Sequence, residues 1–282
     1  VDTRNALWSA RALTTAPDVV REVHSDYLDA GARVITTNTY QATLPALVCS
    51  GEDAAGARRV IAAGASLAKE AARQFGKEHP EELVLVAGGL GPYGAYLADG
   101  SEYTGAYGIY ILEDLGFQEV HLPRIEVLVG EGIGLFALET LPRLDEAQAL
   151  VAMVKGLAPQ AECWVSFQVR PDGATLADGT PLAEAAAWAA QEEIVVAVGI
   201  NCVAPGVVGR ALPVLRAATN KPLVAYPNAG DLYDPATKTW QSTGDGAGIP
   251  ELAPSWIDAG VRLVGGCCRT RPAQIRQLAR AV

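Results

Sequence analysis

Three cysteines stand where the sequence could do metal chemistry. Cys202 ends the apolar run Val198-Gly199-Ile200-Asn201-Cys202, and Cys267 and Cys268 end the run Leu263-Val264-Gly265-Gly266-Cys267-Cys268. Short apolar runs bounded by turn signals read as buried strands, so all three thiols sit at strand C-terminal tips. Where such tips meet at one mouth, three thiolates can bind a zinc ion. A structural zinc takes four protein ligands, whereas a catalytic zinc takes three and keeps one position open. Gly265 and Gly266 carry no side chains and let the backbone bend so that adjacent cysteines reach one metal. Two other readings stay open: small buried apolar residues, or a vicinal redox disulfide at Cys267-Cys268. Cys163 lies at the wrong end of its strand and Cys49 in a loop, so both are read as packing residues.

An open site rich in thiolate favours a particular substrate. Three thiolates push charge onto the metal and weaken it as an activator of water. A substrate thiol makes a better fourth ligand, because the metal lowers its pKa and holds it as a thiolate at neutral pH. That thiolate can attack an electrophilic methyl group with no proton to remove in the transfer. The histidines agree. Among His24, His79 and His121 none lies at a strand tip: His24 falls in a helix, His79 precedes Pro80 in a polar stretch, and His121 precedes a helix. A Ser-His-Asp or Cys-His mechanism therefore has no evident base.

Polar residues end other strands. Glu139 closes Gly134-Leu135-Phe136-Ala137-Leu138-Glu139-Thr140, where a carboxylate suits a substrate ammonium group; the alternative is a cap for the following helix. Thr36, Thr37, Asn38 and Thr39 offer hydroxyl and backbone donors for a carboxylate. Gly89-Leu90-Gly91-Pro92-Tyr93-Gly94 matches a dinucleotide fingerprint by spacing, but such a loop must open directly into a helix. Here Pro92, Gly94, Asp99-Gly100 and Gly105 keep the chain irregular, so NAD binding is set aside.

The elements that must position these residues alternate. Candidate strands are Val34 to Tyr40, Leu83 to Ala87, Leu135 to Leu141, Cys163 to Val169, Ala197 to Val203, Leu223 to Tyr226 and Leu263 to Gly266. Helical patterns span Pro17 to Ala30, with Val19, Val20, Val23, Tyr27 and Leu28 on one face, then Asp53 to Gln74, Asp145 to Leu157, Pro181 to Gln191, Val207 to Ala218 and Arg271 to Val282. Strands alternating with helices imply a parallel sheet. Seven strands suit an open doubly wound sheet. A closed barrel needs eight, and then one strand lies upstream of Val1 or is supplied irregularly by residues 1 to 12. The long loops Gly88 to Tyr110 and Asn228 to Pro254 follow strand C-terminal ends, where barrel active sites are built.

Length and composition narrow the classes. The chain has 282 residues, half of them apolar, with a formal net charge of -10. One α/β barrel of about 250 residues fits that length as a single domain over 1–282. The acidic balance argues against nucleic acid and anionic membrane surfaces. No run approaches the roughly 18 uncharged apolar residues of a membrane span. The start, Val1-Asp2-Thr3-Arg4, is no signal peptide and has no initiator Met, so residues upstream are expected. Five cysteines, an odd count in a large chain, fit a reducing cytoplasm rather than a secreted disulfide framework.

These motifs together resemble the homocysteine S-methyltransferase family. Gly199-Ile200-Asn201-Cys202 and Gly265-Gly266-Cys267-Cys268-Arg269-Thr270 carry the resemblance. Thr36-Thr37-Asn38-Thr39-Tyr40-Gln41-Ala42, Leu138-Glu139-Thr140 and Tyr226-Pro227-Asn228-Ala229-Gly230 support it over essentially the whole chain. Gly91 to Tyr103 looks like the branch that uses S-methylmethionine or S-adenosylmethionine. The resemblance implies a (β/α)₈ TIM barrel, Zn²⁺ on Cys202, Cys267 and Cys268, and homocysteine as fourth ligand. It implies Glu139 at the homocysteine amine, Thr37 holding the carboxylate through its backbone, Asn201 supporting the zinc site, and Asn228 at the substrate. Tyr93 and Tyr103, with Tyr96 and Tyr107, are candidates to face a cationic donor, with packing as the alternative. The family's opening strand ends in an Asp-Gly-Gly type motif whose Asp also binds the amine. None precedes Leu7-Trp8-Ser9-Ala10, which resembles the segment after that strand, so the first strand is expected to be missing here. The expected function is methyl transfer from a sulfonium to homocysteine, giving methionine. Alternatives are selenocysteine as acceptor, betaine as donor, or a non-catalytic zinc-binding barrel.

Overall fold

The computed structural model describes residues 7–107, 114–234, 239–241 and 248–282. A 3₁₀ turn at Trp8–Arg11 leads into α1 (Ala12–Thr15) and α2 (Pro17–Asp29). Then follow β1 (Val34–Thr36), α3 (Leu44–Cys49), α4 (Ala54–Glu78), β2 (Leu85–Leu90), α5 (Tyr93–Leu97), α6 (Asp114–Gly130), β3 (Leu135–Leu141) and α7 (Leu144–Leu157). The second half runs β4 (Glu162–Phe167), α8 (Leu182–Gln191), β5 (Val195–Asn201), α9 (Pro205–Ala218), β6 (Leu223–Tyr226), the hairpin β7 (Leu232–Asp234) and β8 (Thr239–Gln241), α10 (Ile249–Asp258), β9 (Val261–Val264) and α11 (Pro272–Ala281).

All seven expected strands are present with shifted ends. They pair in parallel in the order β1-β2-β3-β4-β5-β6-β9. That order never reverses, whereas a doubly wound sheet reverses at a switch point. The open doubly wound alternative is thereby excluded. The sheet curls into a half-barrel. Its inner face packs Ala87, Ala137, Trp164, Ala197 and Val224 against one another. Its outer face, with Phe136, Leu138, Val165, Phe167, Val198 and Ile200, packs on the helices. The last helix and the turn before it meet α2: Tyr27 Oη on α2 donates to Thr270 O, just ahead of α11, at 2.5 Å. A side chain at Gly31, whose φ is +109°, would lie 2.7 Å from Ala279 Cβ. Residues 1–6 lie outside the described residues. Residues 8 to 12 form the 3₁₀ turn and the start of α1, so they do not supply an eighth strand.

Three local expectations are corrected. On α2 the inward residues are Val20, His24 and Leu28, spaced four apart, while Val19 and Val23 are exposed. His121 lies inside α6 and is fully buried rather than preceding a helix. Its buried residues Phe117, Val120, His121, Arg124, Ile125 and Leu128 do follow a helical stripe, but two of them are polar and Leu122, Val127 and Val129 lie off it, so no apolar 3.6-residue pattern shows. Cys49 is the last residue of α3, not a loop residue. Among the described residues no helix is long and apolar enough to cross a membrane.

Candidate metal centre and substrate site

Two strand ends bring the thiols together. Cys202 follows β5 with a left-handed φ of +53°, yet its N–H still donates to Tyr226 O at 3.1 Å. The backbone thus stays on the β6 ladder as it turns. Beyond β9, Gly265 N–H donates to Ala225 O (3.1 Å) and Cys267 N–H to Pro227 O (2.8 Å), while Cys268 O accepts from Ala229 N–H (3.0 Å). The cysteine pair is laced onto the segment after β6. Gly266 is needed here for close approach, because a Cβ would lie 2.3 Å from Thr270 Cγ2. The three Sγ atoms lie within 4.8 Å of one another, with Cys202 and Cys268 at 3.5 Å. Hydrogen bonds from Cys267 and Cys268 hold the Cys202 thiol well below the ordinary thiol range. The same bonds hold the other two well above it. Three soft donors of this spacing, sharing thiol protons, suit a thiophilic metal ion. Cys163, in the outer core, has its thiol pushed up to about 12 by burial and takes no part.

Asparagines brace this cluster. Asn201 is fully buried. Its Oδ1 accepts from Thr140 N–H at 2.7 Å, and its Nδ2 donates to Thr140 Oγ1 at 2.8 Å and toward Cys267 Sγ at 3.8 Å. Asn228 Nδ2 donates to Cys202 O at 3.4 Å, and its Oδ1 accepts from Gly230 N–H at 2.8 Å. Thr140 has φ +61° and Arg269 φ +66°. Left-handed backbone is strained for a β-branched residue such as Thr and marks a position held by its surroundings.

Glu139 lies beside this cluster. Burial pushes its carboxyl up to about 8; the nearby Cys267 adds to this, while a hydrogen bond from Tyr226 and the Arg124 charge oppose it. Tyr226 Oη in turn accepts from Trp164 Nε1 at 3.0 Å. Gly89 on β2 lets the strand pass close to the carboxylate. A Cβ there would sit 3.0 Å from Thr37 O and 3.4 Å from Glu139 Oε1. Two acceptors this close to one another suit a cation with several N–H donors. Thr37 N–H donates to Ala87 O at 2.8 Å. Its Oγ1 accepts from Gly89 N–H at 3.0 Å and pairs with Thr39 Oγ1 at 2.6 Å. A carboxylate bound at this loop would therefore compete for the Thr37 N–H or use a neighbouring donor.

The segment after β2 reaches over the thiols. Tyr103 Oη lies 3.8 Å from Cys202 Sγ. Tyr93 heads α5, so Gly91-Pro92 does open into a helix, though of only five residues. The glycines of the fingerprint-like run serve packing instead. A Cβ at Gly91 would strike the Tyr40 ring at 2.7 Å, and one at Gly94 would strike Glu102 N at 2.4 Å. The Tyr93 ring packs against Tyr96, Tyr107 and Phe117, with centroids 5.5 to 6.1 Å apart. Arg124 and Glu146, which no sequence motif marks, are both buried behind this segment. The only signal was a charge inside the apolar run Leu122-Pro123-Arg124-Ile125.

The sequence profile described as Homocysteine S-methyltransferase matches residues 1–282. The chain is 44% identical over 276 residues to the homocysteine S-methyltransferase of Escherichia coli (strain K12), covering 97% of this chain and 87% of that protein. It is 38% identical over 289 residues to a selenocysteine Se-methyltransferase of Brassica oleracea var. italica, covering 98% and 83%. Among solved structures it resembles the metallated form of the homocysteine methyltransferase MmuM from Escherichia coli. The TM-score is 0.88 at 41% identity, covering 100% of this chain and 91% of that one. The chain belongs to the homocysteine S-methyltransferase family.

Proposed function

We propose that this chain moves a methyl group from a sulfonium donor, S-methylmethionine or S-adenosylmethionine, to the thiol of homocysteine, with zinc held by Cys202, Cys267 and Cys268. The convergence of three thiols at two strand tips carries this reading. Thiolates about 2.3 Å from a tetrahedral zinc stand roughly 3.8 Å apart, close to the spacing found. Bound zinc supplies the acidity that keeps the homocysteine thiol ionised at neutral pH. The rest falls to the chain's own residues. Glu139 and Thr37 O, both close beside Gly89, receive the substrate ammonium. The Thr37–Thr39 loop meets its carboxylate. Asn201 and Asn228 fix the backbone and the thiol of the metal ligands. Tyr103 presents its ring to the cationic donor, while Tyr93, packed on Tyr96, Tyr107 and Phe117, supports the same segment. A lone pair on the homocysteine sulfur forms the new S–CH₃ bond as the donor's S–CH₃ bond breaks. That bond's electrons stay on the donor sulfur, which leaves as a neutral thioether. No proton moves in the step, so catalysis is mainly alignment.

This reading includes a single homocysteine-binding domain of the (β/α)₈ barrel type over 1–282, small-molecule substrates only, and a cytoplasmic setting where thiols stay reduced. A second acceptor, selenocysteine, is favoured by the likeness to the Brassica enzyme. The test is metal content of freshly reduced chain with and without Cys202→Ala, followed by transfer assays with each sulfonium and with betaine. About one zinc per chain, lost in the variant, with methionine formed from a sulfonium, is expected. Fully reduced, folded chain that binds no zinc, or no turnover with any sulfonium, sinks the proposal. Competition between homocysteine and selenocysteine ranks the acceptors.

A further inference from the structure

Behind the metal site lies a chain of buried polar groups that touches no metal ligand. Arg124, His121, Glu146 and Tyr107 are all fully buried. Arg124 Nη1 donates to Thr39 O at 3.0 Å and Tyr40 O at 2.6 Å, and its Nη2 donates to Gly91 O at 2.9 Å. Nη2 also meets His121 Nδ1 at 2.8 Å. A guanidinium only donates, so Nδ1 must accept and the imidazole proton sits on Nε2. That Nε2–H donates to Glu146 Oε1 at 2.7 Å. Glu146 then takes Tyr93 N–H at 2.5 Å on the same oxygen and the Tyr107 hydroxyl on the other. A neutral histidine thus links a buried cation to a buried anion.

The partners decide what this network does. Its acceptors are carbonyls of the loops after β1 and β2, and its donors are the two ends of segment 93–107. That segment is tight within itself. Gly94 lies against Glu102, Tyr103 N–H donates to Gly100 O (3.0 Å), and Gly105 N–H donates to Ser101 O (2.7 Å). Pinning both ends on one carboxylate therefore fixes Tyr103, which stands over Cys202. Apolar side chains of the same volume would stabilise the helix contact as well or better. What buried charges add is a single arrangement of the loops they bond.

We infer that Arg124, His121 and Glu146 are positioning residues that set Tyr103 over the thiol cluster and thereby tune the affinity for the methyl donor, an inference that rests on Tyr103 meeting that donor. The test uses the full zinc-loaded chain with S-methylmethionine and homocysteine. Tyr107→Phe removes one hydroxyl and keeps the ring, so the fold is retained; Glu146→Gln is the stronger variant. Losing a hydrogen bond to a charged group predicts a rise of about tenfold in donor KM for Tyr107→Phe. The kcat and the homocysteine KM stay within about twofold, and amide exchange quickens within 93–105 while α7 keeps its protection. Unchanged exchange in that segment overturns the relay and leaves the proposed function standing. Quickened exchange with an unchanged donor KM, or both KM values rising in parallel, overturns the tuning. A chain that transfers methyl from no sulfonium donor removes the proposed function and the donor half of the inference, while exchange still decides the anchoring.

Discussion

Asn201 and Thr140 bond each other twice across the mouth of the half-barrel, amide oxygen to backbone N–H at 2.7 Å and amide nitrogen to hydroxyl at 2.8 Å. One side chain thereby ties the end of β5, which carries Cys202, to the end of β3, which carries Glu139. The same Nδ2 points at Cys267 Sγ. The two halves of the proposed substrate site, for ammonium and for thiol, are held in register by this pair. Thr140 keeps its left-handed backbone because its N–H has this acceptor.

Removing that amide has two separable consequences. Asn201→Ala leaves the buried Thr140 N–H without its acceptor, which costs about 1–3 kcal/mol of stability. Groups that orient metal ligands contribute about 10–100-fold in metal affinity, so zinc binding is expected to weaken within that range. Urea denaturation and zinc competition with a chromophoric chelator measure the two effects. Lost stability with unchanged zinc affinity would make Asn201 a fold residue alone.

Gly266 and Thr270 make a second pair with a built-in control. A methyl at 266 would meet the Thr270 side chain at 2.3 Å, and Thr270 is buried in the turn that follows the cysteines. Gly266→Ala should displace the turn, cost about 1–3 kcal/mol as overpacking does, and lower zinc content. Thr270 Oγ1 is buried with no hydrogen-bond partner among the described residues, so Thr270→Ala alone should be nearly silent. The double variant should then recover most of the loss. Additive losses in the double variant would show that a backbone demand at 266, rather than this contact, requires glycine.

Local signals carried much of this molecule in the sequence. Buried runs ended by turn residues marked every parallel strand, and with them the tips where Cys202, Glu139 and Cys267 stand. What escaped was long-range or masked. The partner of Asn201 is 61 residues away, and Glu146 meets Tyr93 across 53; no spacing rule reaches that far. Helix α6 hid because its buried stripe carries His121 and Arg124 while the apolar Leu122, Val127 and Val129 lie off it. On α2 the valines at 19 and 23 imitated an apolar face, whereas the true inward residue between Val20 and Leu28 is a histidine. A polar residue on a buried stripe misleads a hydrophobicity count, yet its burial has a thermodynamic signature.

His24 supplies that signature. It is buried, and its Nε2 has no partner among the described residues. Burial pushes its pKa down from 6.5 to about 4. The folded value lies below the unfolded one, so the unfolded chain binds the proton first as pH falls. Stability from keeping His24 neutral is fully present above about pH 6.5 and is lost progressively toward pH 4. The slope is about 1.4 kcal/mol per pH unit. His121, also shifted down by burial, acts in the same sense, so removing His24 should flatten the acid limb without abolishing it. His24→Leu should be at least as stable as the parent at pH 7, since it deletes an unsatisfied buried nitrogen. Between pH 7 and pH 4.5 it should lose about 2–3 kcal/mol less than the parent. Urea titrations of both proteins, reduced and free of zinc so that acid release of the metal plays no part, measure this. Equal acid losses in the two would mean that His24 charges inside the folded chain at its ordinary pKa, and that α2 opens to water more readily than its packing indicates.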